Sequence, residues 1–272
     1  MAIVYTEPGG WLHTLERRDL IAQWQRPILY GLTSTADLPE RVDPTGWMKI
    51  EDQRSQGSCQ GHALSTGVEC VHVLSGGNIV QLSRACAYYM SQRLDGIRGD
   101  QGSTIAGGIK LAEGDGLVLE SVWPYPVRYD PRIPEGYDQA TKWTIANHSP
   151  IQSADECIKH IGLYGAVHIG IMWSDQIDKQ VSQRGIIYSY RPGGGGHSVE
   201  LIGYTPTDWD GKALSDVHVM LFNSWSKSWG RNGVALVSQQ ALQSMINDRN
   251  SVFVGLYGAT HPEITAPVYG EL

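Results

Sequence analysis

A cysteine at the start of a predicted helix is the most reactive group that the sequence offers. Cys59 follows the polar turn QRSQGS, and apolar residues at helical spacing continue to Leu74, after which Ser-Gly-Gly ends the pattern. Ser58 occupies the position of a helix N-cap, where a side-chain oxygen is expected to bond the first turn. The positive end of the helix dipole lowers the pKa of a thiol and favours the thiolate. The pattern therefore predicts a nucleophile at Cys59, although many free cysteines are simply buried apolar residues.

Three other polar residues have the types that a thiol nucleophile requires. His197 lies between the glycine run 193–196 and an apolar strand, where an imidazole could exchange a proton with the thiol. Asn223, in FNSWSKSWG, could hold one ring nitrogen and leave the other facing the thiol. Gln53 lies six residues before Cys59, and its amide could donate to an oxyanion together with the backbone N–H of Cys59. Each residue alone is an ordinary loop or strand-edge residue; only the set predicts chemistry.

The elements that would position these residues change in character along the chain. The first half predicts three helices, over residues 59–74, 82–94 and 104–116. After WPYP, the sequence predicts one helix over 154–164 and several short strands, in the segments AVHIGIMW, GIIYSY, HSVELIGY, VHVMLFNSW and GVALVS. Helices followed by strands indicate an α+β fold with two lobes, and a cleft between lobes is a favoured place for an active site.

Taken together, these segments resemble the papain family of cysteine peptidases. That family carries a Gln, a Cys six residues later that opens a long helix, a later His before an apolar strand, and an Asn-Ser-Trp. The matching residues here are Gln53, Cys59, His197 and Asn223-Ser224-Trp225, in the same order. LPERVDPTGW, QLSRACAYY, GDGLVLESVWPY and SWSKSWGRNGVALV resemble further segments of the family. The resemblance covers roughly residues 38–258.

The resemblance implies a two-lobed papain-like fold with the active site in the cleft. Residues 1–37 would form an N-terminal extension, either a short pro-segment or a packed arm. Residues 38–146 would form the helical lobe with the nucleophile helix, and residues 147–272 a β-barrel-like lobe with the His and the Asn.

The implied activity is hydrolysis of peptide bonds by a Cys-His-Asn triad. Cys59 would be a thiolate paired with an imidazolium at His197, Asn223 would orient that ring, and Gln53 would complete the oxyanion hole. The substrate would be a peptide or a protein. The residues expected to contact it are Gly102, Ser103, Gly196 and Trp225.

Several residues depart from the family pattern. Gln60, Gly61 and His62 stand where the family usually has Trp, Ala and an aromatic residue, and Ser226 replaces a Gly. Gln56 stands where the family often has a disulfide-bonded cysteine, so that bridge should be missing. These changes leave two other functions open: a papain-like fold that binds or assembles without turnover, and a thiol-dependent acyl or glutamyl transferase.

A zinc site is another alternative, because Cys59-x-x-His62 and Cys70-x-His72 look like ligand pairs. On one continuous helix Cys59 and Cys70 would lie about 16 Å apart along the axis. Zinc requires ligands at about 2.0–2.3 Å, so a single helix cannot supply all four. We expect no metal and no cofactor. The remaining cysteines, Cys70, Cys86 and Cys157, are expected in the core.

Composition limits the range of partners. The chain has 272 residues and a formal net charge of −7, which argues against nucleic acid, because phosphate binding requires basic patches. It contains neither an apolar run of about 18 residues nor a basic, apolar leader, so we expect no membrane-spanning helix and no membrane partner. Four scattered cysteines favour a reducing compartment, and the expected location is cytoplasmic.

Overall fold

The computed structural model describes residues 38–260, which form six helices and seven strands. In chain order these are α1 (Cys59–Leu74), α2 (Arg84–Asp95), α3 (Ile105–Glu113), β1 (Thr144–Pro150), α4 (Ala154–Tyr164), β2 (Ala166–Trp173), α5 (Asp175–Arg184), β3 (Ile186–Ile187), β4 (Gly195–Thr207), β5 (Ala213–Phe222), β6 (Val234–Val237), α6 (Gln239–Asn247) and β7 (Val252–Thr260). The predicted N-terminal extension, residues 1–37, lies outside this described part. None of the helices described between residues 38 and 260 is long and apolar enough to cross a membrane.

The predicted α+β fold is confirmed, and most helix boundaries follow from local capping. The helix predicted over 82–94 begins at Arg84, because the Ser83 side chain accepts from the backbone N–H of Cys86 at 2.9 Å. Thr104 caps α3 in the same way through Gly107, also at 2.9 Å. The sequence did not predict α5 and α6, which are short; α5 buries only Ile177 and Val181.

Seven strands form one sheet in the order β1-β7-β2-β4-β5-β6-β3, and every neighbouring pair is antiparallel except β3 and β6. Each of the five predicted strand segments contributes a strand to this sheet, although GIIYSY contributes only Ile186–Ile187 and VHVMLFNSW is a strand only as far as Phe222. The strands β1 and β7 were not predicted as such. The segment TIANHSP of β1 mixes buried and exposed positions without clean alternation and ends in a proline, so its pattern is not typical of a strand.

Helix α1 lies between the sheet and the pair of helices α2 and α3, and it is buried along most of its length. It packs against α2 and α3 on one side and against β2, β4 and β7 on the other. Two glycines make this close packing possible. A Cβ at Gly61 would lie 2.6 Å from the backbone nitrogen of Tyr88, and one at Gly67 would lie 2.4 Å from Oε1 of Glu200. The Cys59 helix is therefore positioned by the sheet that also carries His197.

A carboxyl group and an imidazole are paired in the core beneath α1. Glu200 on β4 and His168 on β2 are fully buried, and Glu200 Oε2 lies 2.8 Å from His168 Nδ1. Burial raises the pKa of Glu200 well above its ordinary value and lowers the pKa of His168 to about 3. The folded chain therefore keeps one proton on this pair at neutral pH, and that proton remains on Glu200.

This proton makes stability depend on pH in a defined direction. In the unfolded chain Glu200 loses its proton near pH 4.5 and His168 near pH 6.5. Above pH 6.5 the folded state binds one more proton than the unfolded state, so the free energy of unfolding falls as pH rises, by up to about 1.4 kcal/mol per pH unit. Glu200→Gln removes the titrating group and keeps a partner for the imidazole. Urea unfolding between about pH 7 and pH 9 should show a shallower decline for this variant.

The control is Glu40→Gln, since Glu40 is an exposed carboxylate. Its decline with pH should match that of the wild type. If Glu200→Gln also kept the wild-type decline, Glu200 would not be the group that holds the extra proton.

Candidate active site

Cys59 is the first residue of α1, as predicted, but the start of this helix differs from expectation. Ser58 occupies the N-cap position, yet its side chain makes no capping hydrogen bond. Its hydroxyl lies instead 2.6 Å from the hydroxyl of Tyr125, 67 residues away. The predicted capping role of Ser58 is therefore wrong. The positive end of the helix dipole therefore faces Cys59 without a serine side-chain oxygen against the first turn.

His197 lies in β4, beside the end of β5. Its Nε2 donates to Oδ1 of Asn223, the residue that follows β5, at 2.8 Å. The other ring nitrogen, Nδ1, is buried and makes no hydrogen bond to the part of the chain described. The next residue, Ser198, donates its backbone N–H to Sγ of Cys59 at 3.4 Å. The Cys59 sulfur therefore lies against the strand that carries the imidazole.

Aromatic rings enclose the imidazole. Trp225 stacks on His197 with ring centroids 4.5 Å apart, and Trp173 meets it edge-on at 4.9 Å. Asp178 on α5 accepts from the indole N–H of Trp173 at 3.1 Å and of Trp229 at 3.3 Å. The sequence did not identify Trp173; its only signal is its place at the end of an apolar strand.

The environment of His197 opposes a positive charge on the ring. Both His197 and Cys59 are fully buried. Burial lowers the pKa of His197 to about 4, although the hydrogen bond to Asn223 acts in the opposite direction. An imidazolium therefore requires a nearby negative charge to be stable at this position.

Gln53 is fully buried and its amide is held in one orientation. Its Oε1 accepts from Oγ of Ser224 at 2.7 Å, and its Nε2 donates to the backbone carbonyl of Gln56 at 2.9 Å. Since a carbonyl can only accept, the nitrogen of the amide must face Gln56.

The three residues that depart from the family pattern after Cys59 pack into the helical half. Gln60 Oε1 accepts from Oγ of Ser103 at 2.7 Å, and Gly61 leaves room for the backbone of Tyr88. His62 Nδ1 lies 3.0 Å from the carbonyl oxygen of Ser58. These side chains are part of the packing around α1.

The four residues expected to contact substrate lie in different settings. Gly102 has φ of +85°, which favours glycine, and the hydroxyl of Ser103 is turned to Gln60. Gly196 is buried in β4 opposite Met172, and Trp225 covers the His197 ring. Their contact with substrate stays a prediction.

The alternative of a zinc site has no ligand set in the described chain. Among residues 38–260, no three His, Cys, Asp or Glu side chains are arranged to hold a metal ion. All four cysteines are buried and free of disulfides, so the bridge that Gln56 was expected to exclude is indeed missing. Burial raises the pKa of the Cys70, Cys86 and Cys157 thiols, which makes them inert core residues.

Comparison with solved structures shows the same fold in several cysteine proteases. Xylellain from Xylella fastidiosa is 20% identical over 95% of this chain and 98% of its own, with a TM-score of 0.67. Digestive procathepsin L 3 of Tenebrio molitor is 19% identical over 93% of this chain and 77% of its own, with a TM-score of 0.67. A cysteine protease of Carica candamarcensis, solved with E-64, is 17% identical over 81% of this chain and 99% of its own, with a TM-score of 0.60.

No curated protein gives a significant sequence match to this chain. The sequence pattern of the papain family of cysteine proteases matches residues 38–254, which is most of the chain and includes all four residues of the predicted catalytic set. The fold and this match together show that the chain belongs to the papain family of cysteine proteases.

Proposed function

We propose that this chain is a cysteine peptidase in which Cys59, His197 and Asn223 form the triad and Gln53 completes the oxyanion hole. The observation that carries the proposal is the arrangement of His197. Asn223 binds one ring nitrogen at 2.8 Å, and the residue next to His197 contacts the Cys59 sulfur at 3.4 Å. An imidazole held at Nε2 has Nδ1 available for a proton exchange with the thiol.

In the first step the Cys59 thiolate attacks the carbonyl carbon of a peptide bond. A carbon–sulfur bond forms, and the carbonyl π electrons move to the oxygen, which becomes an oxyanion. A side-chain N–H of Gln53 and the backbone N–H of Cys59 are the proposed donors to it, in a buried site where such bonds are strong.

The intermediate then collapses to a thioester. The carbon–nitrogen bond breaks, and the leaving amine takes a proton from His197. A water molecule next attacks the thioester while His197 accepts its proton, and the carbon–sulfur bond breaks to release the acid and restore the Cys59 thiolate beside the protonated His197. Asn223 keeps the ring oriented through both transfers.

The charge state of the resting site follows from its burial. Neither the thiolate nor the imidazolium is stable alone in a buried place, so each charge depends on the other.

This mutual dependence can be measured at His197. In Cys59→Ala, the His197 ring should remain neutral down to about pH 4, because burial acts on it without a counter-charge. In the wild type, the thiolate should raise the pKa of His197 by several units. NMR titration of the imidazole in both proteins tests this, and equal pKa values would contradict the ion pair.

The contribution of Gln53 can be measured by turnover of a fluorogenic peptide. Gln53→Ala should lower kcat by about 10²–10³-fold, because one oxyanion donor is lost. Cys59→Ala should abolish turnover. Gln243→Ala is the control, since that amide binds the backbone of Ala154 and should leave kcat unchanged. Wild-type activity in Gln53→Ala would exclude its role at the oxyanion.

Product analysis separates the peptidase from the two other functions. A peptidase releases the acid, whereas an acyl transferase gives mainly the amide when a primary amine is added. A wild-type chain that binds peptides without releasing either product would instead be a binding module of the same fold.

A further inference from the structure

The turn between Gln53 and Cys59 must hold two oxyanion donors in register, and the hydroxyl of Tyr125 contacts both of its ends. Tyr125 Oη donates to the backbone carbonyl oxygen of Gln53 at 2.9 Å. The same oxygen lies 2.6 Å from Oγ of Ser58, the residue before the nucleophile. One side chain from a distant segment therefore spans the turn.

The direction of these bonds is fixed by the number of hydrogens available. The Tyr125 hydroxyl has one hydrogen to donate. The carbonyl of Gln53 can only accept, so Tyr125 donates to it. The hydrogen between Tyr125 and Ser58 must then come from the serine. The Ser58 hydroxyl is thus turned to Tyr125 and makes no capping hydrogen bond to α1.

Tyr125 is itself held from two sides. Its backbone N–H donates to Oε1 of Glu120 at 2.7 Å, and the edge of the His62 ring contacts its ring at a centroid distance of 4.6 Å. Burial and the nearby charge of Arg84 lower the pKa of His62 to about 3. The ring is therefore neutral and donates from Nδ1 to the carbonyl of Ser58, the same residue that Tyr125 binds.

We propose that Tyr125 is a positioning residue for the oxyanion hole. It fixes the backbone of Gln53 and Ser58 so that the Gln53 amide and the Cys59 N–H donate to one oxygen atom. The inference rests on the proposed function of this site. Tyr125 does not touch the substrate's reacting atoms; it acts through Gln53.

Tyr125→Phe removes both hydrogen bonds and keeps the ring against His62. We expect kcat to fall about tenfold while KM changes by less than about twofold, the result of losing an interaction made in the transition state.

A peptide aldehyde adds the Cys59 thiol across its carbonyl with no leaving group, and its affinity for Tyr125→Phe should fall about tenfold as well. Alkylation of Cys59 by iodoacetamide forms no oxyanion, so its rate should stay within about twofold.

The decisive measurement is a double-mutant cycle with Gln53→Ala. If Tyr125 acts through Gln53, Tyr125→Phe should cause less than about a twofold further loss of aldehyde affinity in the Gln53→Ala background. A full tenfold loss in both backgrounds would overturn the proposal. A parallel loss of alkylation rate would also overturn it, because the tyrosine would then act on the thiol.

Two further variants guard against a general effect on folding. Tyr129→Phe also removes a part-buried tyrosine hydroxyl, which donates a hydrogen bond to Oε1 of Gln92 at 3.0 Å. This variant should change neither kcat nor aldehyde affinity. Ser58→Ala removes only one arm of the bridge and should give a smaller loss, of about threefold, that also vanishes without Gln53. An unchanged Ser58→Ala together with an unchanged Tyr125→Phe would refute the positioning role.

The aldehyde keeps this test separate from the proposed function. A wild-type chain that binds the aldehyde through Cys59 but hydrolyses no peptide would contradict the peptidase. The affinities would then still decide whether Tyr125 positions the oxyanion donors.

Discussion

The pairing of two short segments, residues 51–53 and 224–226, is the constraint on which the rest of the site depends. The backbone N–H of Gln53 donates to Ser224 at 2.8 Å, and that of Ser226 donates to Glu51 at 3.0 Å. One segment leads to the nucleophile helix and the other follows the strand next to His197. The Ser224 side chain then fixes the Gln53 amide, while its neighbour Asn223 fixes the imidazole. This pairing therefore fixes the position of Gln53 relative to His197.

Hydrogen bonds hold the turn before Cys59 where the family often uses a disulfide. Gln56 accepts from the Tyr89 hydroxyl at 3.0 Å and donates to the carbonyl of Pro126 at 2.8 Å, and Gly57 donates to Asp100 at 2.8 Å. At about 1 kcal/mol each, three such bonds contribute as much as the low end of a disulfide's 2–5 kcal/mol. Unlike a disulfide, they are unaffected by a reducing environment.

The candidate site residues were visible in the sequence, whereas most of the contacts that support them were not. Cys59, His197, Asn223 and Gln53 could be proposed from their types and order in the chain, and α1 could be predicted because its apolar spacing ends at a Ser-Gly-Gly. The bond between Ser58 and Tyr125 joins residues 67 positions apart, so local rules predicted a helix cap instead.

Tertiary packing likewise determines two features that the local sequence patterns do not predict, a buried residue pair and two strands. His168 and Glu200 each looked like ordinary strand residues, and only the register of β2 against β4 brings them together. The strands β1 and β7 are strands because they pair with each other and with β2, although the segment of β1 lacks a strand pattern of its own.

The proposed pair of thiolate and imidazolium should control the reactivity of Cys59, and alkylation across pH tests it. Wild type and His197→Ala would be treated with iodoacetamide between about pH 4 and pH 9, and mass spectrometry would locate the adduct. We predict fast labelling of Cys59 in the wild type down to about pH 5, and its loss in His197→Ala. Labelling that rises only near pH 8.5, the value of an ordinary thiol, and that is indifferent to His197 would contradict the account.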